Sequence, residues 1–486
     1  MSRGGEPGNS ALHRGSLNPV PTRLVWAAKW AGAGPAAVLA LALLLRMPAI
    51  NGGQIDYDEG VYWQSLRSMA AGHPLFSQVY SSQPPAFLLL IFPFYWVLGQ
   101  SLVGARVAVL FVFLAGLLAA YRLVSKLSSR AAGMIAIAVL AADPICFRES
   151  IVLQADLPAM GLALIGVALA VEASGRTRQV GGRAVAAGVA LSTGFLVKPL
   201  AAAAGPAVMV ALGSLPFLRR ERFRSYTLAA AGALVAAVVI LLPFLSVWRP
   251  LWDQTVGLHF VARGAQIGGL DVHSVILEVP VVILGTAGLL VALLHAPRLA
   301  LVVGAWGAAA ALMLAIQRPL WPHHLVALTV PLALLAGGLA ELPLGGRKLS
   351  PVRGLAALLV LAGSLGSALY VHQQQFSDDS LRPAVARLQA ATRPADLVVT
   401  DDQYLVALAG RDTPPQLVDT SLVRINSGEL TAAQVELIAE RSGARAVLLG
   451  GGRLSELPAL ENWARTHYRV REQLDSRRVL YFNPAG

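Results

Sequence analysis

Asp56, Asp58 and Glu59 put three carboxylates within four residues, in the run Ile55-Asp56-Tyr57-Asp58-Glu59-Gly60-Val61-Tyr62-Trp63. The run comes just after a long apolar segment. A charged side chain at the centre of a bilayer costs about 2.5–3.5 kcal/mol or more, so these acids belong at an interface or in a wet cavity. A carboxylate so placed can take a proton from a reacting hydroxyl. Further polar residues stand at the ends of later apolar runs: Arg148, Glu149 and Asp156; Lys198; Arg249, Asp253, His259, Arg263, Asp271 and His273; then Arg318, His323 and His324. Bases that accept a proton, beside cations that steady a departing phosphate, are the parts needed to move a sugar off a lipid phosphate.

Simpler roles exist for each. An acid before residue 57 would cap a helix starting there, although capping needs one acid and three are present. Asp156-Leu157-Pro158 is a good helix start, a role compatible with catalysis. Lys198 could snorkel to an interface. Tyr62, Trp63, Trp248, Trp252 and Trp321 read as aromatic-belt residues before they read as a sugar platform.

The elements that must position these residues are membrane helices. Of the 486 residues, 56% are hydrophobic and 14% charged, and the mean hydropathy is +0.61. An ordinary soluble domain has a charged fraction nearer 25%. The single cysteine, Cys146, excludes an internal disulfide framework and a CxxC metal site. The net charge of +12 does not point to nucleic acid, because most arginines flank apolar runs.

Basic clusters at Arg122/Lys126/Arg130, Arg176/Arg178/Arg183, Arg219/Arg220/Arg222/Arg224, Arg298 and Arg347/Lys348/Arg353 set the expected topology if all face the cytosol. The spans are then 26–47, 103–124, 131–146, 156–174, 183–197, 200–217, 226–247, 274–294, 299–316, 323–341 and 354–371. This gives a multi-pass protein of the cell (plasma or inner) membrane with a cytosolic N-terminus. Residues 1–24, rich in Gly, Ser and Pro, read as a disordered cytosolic tail, and 25–372 as the transmembrane domain with an outer loop over 48–102. Within that loop an amphipathic interfacial helix is expected near 57–71. The stretch 84–99 is expected to be juxtamembrane or re-entrant, since a crossing there would move the Arg122 and Arg176 clusters outside.

After the last span the pattern changes. Residues 373–486 alternate helix-like and strand-like stretches: helices near 380–391, 431–442 and 456–467, strands at 397–400, 446–449 and 479–482. That is a small extracytoplasmic α/β domain. Gly450-Gly451-Gly452 lacks the spacing of a phosphate loop and reads as a turn.

Taken in order, several motifs look familiar. Asp58-Glu59 with Tyr62 is followed by Gly72-His73-Pro74-Leu75, Gln83-Pro84-Pro85, Arg106 at the second span, Asp156 at the fourth and Gly194-Phe195-Leu196-Val197-Lys198-Pro199 closing the fifth. The stretch Arg318 to His324 precedes a proline-containing span. The set resembles the GT-C glycosyltransferases, in the branch of protein O-mannosyltransferases and lipid A aminoarabinose transferases, over about 25–345.

The resemblance implies an all-α polytopic fold of about 11 transmembrane helices, with the active site and C-terminal domain extracytoplasmic. It implies a polyprenyl-phosphate sugar donor, a protein, lipid or glycan acceptor, and transfer with inversion. Asp58 matches the family's acidic pair and would be the base, with Glu59 beside it. Asp156 would position the acceptor or a divalent ion, and Lys198 would meet the lipid phosphate. Tyr62, Gln83, Arg106, Arg148, Glu149, His259, Arg263, Arg318, His323 and His324 complete the expected substrate-binding set. The resemblance does not fix a cofactor; the candidate is a divalent ion, Mg or Mn, bridging Asp58 and Asp156. Gln83 stands where that branch usually has lysine, and no arginine lies near Val61, so Arg318, Arg263 or His324 would take over that charge. The alternative reading is a polytopic lipid or solute transporter or flippase, against which the chain shows no internal repeat.

Overall fold

The computed structural model describes residues 22–53, 56–173, 180–214, 219–262, 269–343, 349–374 and 378–484. The expected tail over 1–24 lies almost wholly outside them. Each of the eleven expected spans falls on a helix: Thr22–Arg46, Leu102–Leu127, Arg130–Ala142, Asp156–Ala173, Val180–Val197, Gly205–Gly213, Arg219–Leu241, Val272–His295, Pro297–Ile316, Val326–Ala336 and Leu349–Gln374. Among the described residues, seven helical stretches are long and apolar enough to cross a membrane, whereas Arg130–Ala142, Gly181–Val197 and Pro199–Gly213 are apolar but shorter. The stretch at 84–99 forms one short helix, Ala86–Val97, as its length and Pro93 suggest. Large apolar side chains such as Leu234, Val239, Ile283, Leu294 and Leu312 are exposed along the bundle, the surface expected toward lipid.

Small residues let the helices meet. A Cβ on Gly188 would lie 1.8 Å from the Ala229 carbonyl oxygen, and one on Gly232 would lie 2.2 Å from that of Val185. The helices Val180–Val197 and Arg219–Leu241 thus pack backbone to backbone, the membrane-helix contact that small residues permit.

The C-terminal domain carries a four-stranded sheet of β1 (Val398–Thr400), β2 (Ala446–Leu449), β3 (Val470–Gln473) and β4 (Val479–Phe482), ordered β1-β2-β4-β3. β1 and β2 are parallel, with Val399 opposite Val447; the other pairs are antiparallel. β1 and β2 are buried along their whole length, hence their unbroken apolar sequence. β3 alternates half-buried and exposed residues, and its polar run Val-Arg-Glu-Gln hides it in the sequence. The triple-glycine loop is a turn closed on the chain's own acid: Asp401 accepts the N–H groups of Gly450, Gly451 and Arg453 at 2.8 Å and of Leu454 at 2.9 Å.

The helix Tyr57–Ala70 corrects an expectation. It is not interfacial: Glu59 to Leu66 and Ser68 are all buried, because the C-terminal domain covers the side that the bundle leaves open. A Cβ on Gly60 would sit 2.6 Å from the Tyr404 amide nitrogen, so only glycine lets the domain approach this closely. Gln64 donates to the Gln403 and Arg411 carbonyls, and Arg67 pairs with Asp412 at 2.6 Å.

Candidate active site

Where the end of the bundle meets the C-terminal domain lies a cavity of about 380 Å³. Eight of the expected residues line it: Asp58, Tyr62, Gln83, Lys198, His259, Arg318, His323 and His324, along with Trp321. The helix at 57–70, the break at Lys198-Pro199 and the turn at 318–324 bring them together across some 260 residues of sequence.

Asp56 sets the position of Asp58. Its Oδ1 accepts the N–H groups of Asp58 at 3.0 Å and Glu59 at 3.4 Å, a helix cap. Its Oδ2 takes Arg148 at 2.8 Å, and Gln154 Nε2 reaches both Asp56 Oδ1 at 2.9 Å and Asp58 Oδ2 at 3.4 Å. Asp58 is left facing the cavity. Burial, with the charge of Asp56 adding to it and Lys198 opposing, pushes its pKa up to about 7. A carboxylate that titrates there is suited to proton abstraction at neutral pH. Burial and the nearby Asp58 charge push the Tyr62 phenol well above its ordinary value, keeping it a neutral donor.

Lys198 has an extended backbone at the N-cap of the 3-10 helix Pro199–Ala204, just after the helix ending at Val197, and its side chain makes no cap hydrogen bond. Its ammonium lies 2.5 Å from Asp156 Oδ2. Asp156 is not among the residues that line the cavity, and its contact with the site runs through this ion pair with Lys198.

Asp156, His323 and His324 have ligand atoms within 4.8 Å of one another, which raises the question of a metal. The donor set fits one poorly. The Asp156 carboxylate already meets an ammonium ion, whose charge repels a cation. His324 Nδ1 accepts the Trp321 N–H at 3.2 Å, which puts the ring proton on Nε2 and leaves a donor where a metal needs a lone pair. Lys198 Nζ and His324 Nε2–H are suited instead to an anion.

Other expectations also need correction. Glu59 and Arg106 do not line the cavity. Arg106 donates Nε and Nη2 to the two Glu59 oxygens at 2.8 and 2.6 Å, and Leu153 N–H adds a third bond to the carboxylate. The remaining Arg106 nitrogen donates to the Ile50 and Gly52 carbonyls. With both side chains about 1% exposed or less, the pair ties the first loop to two bundle elements, away from the cavity wall. Arg148 and Glu149 pair with each other at 3.0 Å, and Arg148 lines a neighbouring cavity of about 240 Å³ with His273 and Tyr370. Burial, opposed by Arg148, pushes Glu149 up to about 8. Arg263 lies outside the described residues.

Sequence reasoning missed the wall given by the C-terminal domain: Asp419, Ser421 and Val423. Asp419 accepts Tyr57 O–H at 3.3 Å and Ser421 N–H at 2.9 Å. No linear signal links residues some 360 positions apart. Ser82, Thr255, Val256, Leu258 and Phe260 also line the cavity, and nothing in their types marked them.

Residues 82–248 match the family model described as dolichyl-phosphate-mannose-protein mannosyltransferase. No match was found among curated proteins. In fold the chain is similar to ArnT from Cupriavidus metallidurans, solved bound to undecaprenyl phosphate, with a TM-score of 0.67 and 18% identity over 93% of this chain and 98% of that one. The oligosaccharyltransferase of Archaeoglobus fulgidus in its apo form gives 0.51 and 15%, over 86% and 69%. The arabinofuranosyltransferase AftD from Mycobacteria gives 0.54 and 16%, over 94% and 40%. The chain is therefore a polytopic membrane protein with the GT-C glycosyltransferase fold, in its ArnT-like form.

Proposed function

We propose that this protein is an integral membrane glycosyltransferase that moves a sugar from a polyprenyl-phosphate donor to a hydroxyl acceptor on a protein, lipid or glycan, with inversion. The observation that carries the reading is that one cavity is walled by both Asp58 and Lys198. The dolichyl-phosphate-mannose family that residues 82–248 match, and undecaprenyl phosphate in the solved ArnT structure, support a lipid-phosphate donor.

The donor's phosphate lies against Lys198 Nζ and His324 Nε2–H, with Arg318 at the mouth. Asp58 takes the proton of the acceptor hydroxyl as its oxygen bonds to the anomeric carbon, and the bond from that carbon to the phosphate oxygen breaks. The electron pair leaves on polyprenyl phosphate, whose charge the donors stabilise. A leaving group of this kind needs no strong acid, in contrast to the two-carboxylate glycosidases. A single displacement with one base inverts the configuration. The flanking arginine clusters support a site on the extracytoplasmic side.

The test supplies membranes holding the protein with radiolabelled polyprenyl-phosphate sugars. The expected result is a new glycosidic product and free polyprenyl phosphate; label that crosses the membrane still attached to its lipid marks a flippase instead.

A further inference from the structure

We infer that the C-terminal domain completes the reaction site, with Asp419 as a positioning residue that acts through Asp58. The inference draws its meaning from the proposed transfer reaction, but its test needs no substrate.

Two independent sets of contacts bear on it. The first is the cavity wall, where Asp419 and Asp58 come from opposite sides of the domain junction. The second is the way Asp419 is fixed. Its carboxylate takes Tyr57 O–H and Ser421 N–H, its carbonyl takes Arg424 Nη1, and it is 3% exposed. Tyr57 O–H is in turn reached by the Thr420 N–H at 2.6 Å, and the Arg453 guanidinium lies over the Tyr57 ring at 3.6 Å. Tyr57 is the first residue of the helix whose second is Asp58, so the domain holds both acids through one side chain.

In the low polarity of a buried cavity wall, the interaction between two carboxylates reaches over several ångströms. The charged and titratable groups facing Asp58 are Asp56 and Tyr62 on its own segment, Asp156 and Lys198 on the bundle, Arg318, His259, His323 and His324 around the cavity, and Asp419 on the domain. Asp419 is the acid among these that the bundle does not supply. Its charge opposes ionisation of Asp58 and offsets Lys198, keeping Asp58 a working base near neutral pH. A bundle that lost its domain would keep Lys198 and lose this counterweight.

The test uses the full-length protein in detergent and dicyclohexylcarbodiimide, which modifies protonated carboxyl groups in apolar surroundings. Peptide mass analysis gives the pH at which half of Asp58 is modified. Asp419→Asn is expected to lower that pH by about half a unit or more, whereas Asp419→Glu, which keeps the charge, leaves it near the wild-type value. Arg67→Met breaks a domain contact outside the cavity and is expected to leave the profile in place. An unchanged profile in folded Asp419→Asn, or an equal shift in Arg67→Met, overturns the inference. Should Asp419→Asn not fold, Ser421→Lys puts a cation on the same cavity edge and is expected to lower the half-modification pH; no shift there also overturns it. The readout concerns Asp58 alone, so failure of the sugar-transfer assay leaves it intact.

Discussion

Lys198 Nζ is held 2.5 Å from Asp156 Oδ2, with 7% and 1% of the two side chains exposed. A carboxylate sharing its buried surroundings gives the ammonium a counter-charge. The pair also fixes where the ammonium points. Lys198 also lines the cavity, so under the proposed reaction an incoming phosphate would meet a cation already oriented.

Removing either partner should therefore weaken the donor in the same way. Lys198→Ala and Asp156→Asn are each expected to raise the donor KM about tenfold or more, the scale of a hydrogen bond to a charged group. The double variant should be little worse than either single one, since both act through one contact. Steady-state kinetics with varied donor check this; an unchanged KM in Lys198→Ala removes the lysine from the site.

The Glu59–Arg106 pair predicts a stability effect. Glu59→Gln leaves a buried guanidinium without its counter-charge and should cost about 3–5 kcal/mol. Arg106→Met added to it should recover part of that loss. Unfolding in detergent measures both. A Glu59→Gln protein as stable as wild type yet unable to transfer sugar would return Glu59 to the catalytic group.

Asp58 links activity and stability to pH in opposite directions. Its pKa of about 7 stands against about 3.9 for an unfolded aspartate. Between these values the folded state holds a proton that the unfolded chain has lost. The contribution of this group to stability is thus fully present below about pH 4 and is lost as pH rises through 7. Transfer should rise over the same interval as the base form appears. Asp58→Asn is expected to unfold at a higher temperature than wild type at pH 8, and a lower one contradicts the assignment.

Transfer should survive exhaustive chelation. His324 Nδ1 accepts the Trp321 N–H, which leaves an N–H rather than a lone pair on Nε2, and Lys198 pairs with Oδ2 of Asp156. Activity lost in chelator and restored by Mg or Mn sends the assignment of the Asp156, His323 and His324 group back to a metal centre.

Much of this was legible in the chain. Apolar runs bounded by arginines located all eleven expected helices, because hydropathy is a local property. Asp58, Lys198 and the Arg318 to His324 stretch stood out because polar groups at the ends of membrane helices are few. What each partner does was not legible. Glu59 and Asp58 are neighbours of like chemistry, and only the position of Arg106, 47 residues on, assigns one to the scaffold and the other to the cavity. The helix at 57–70 has a polar face that suggested water, but the face meets Gln403, Arg411 and Asp412 of a domain more than 300 residues away. β3 escaped notice because an edge strand half open to water needs no apolar run.

The proposed transfer depends on Asp58 taking the acceptor's proton in a cavity where Lys198 holds the donor's phosphate. Its most direct test is sugar transfer by purified Asp58→Asn protein, with donor binding measured on the same sample. The account predicts donor binding near the wild-type level and no product at any pH. Transfer at the wild-type rate would contradict it.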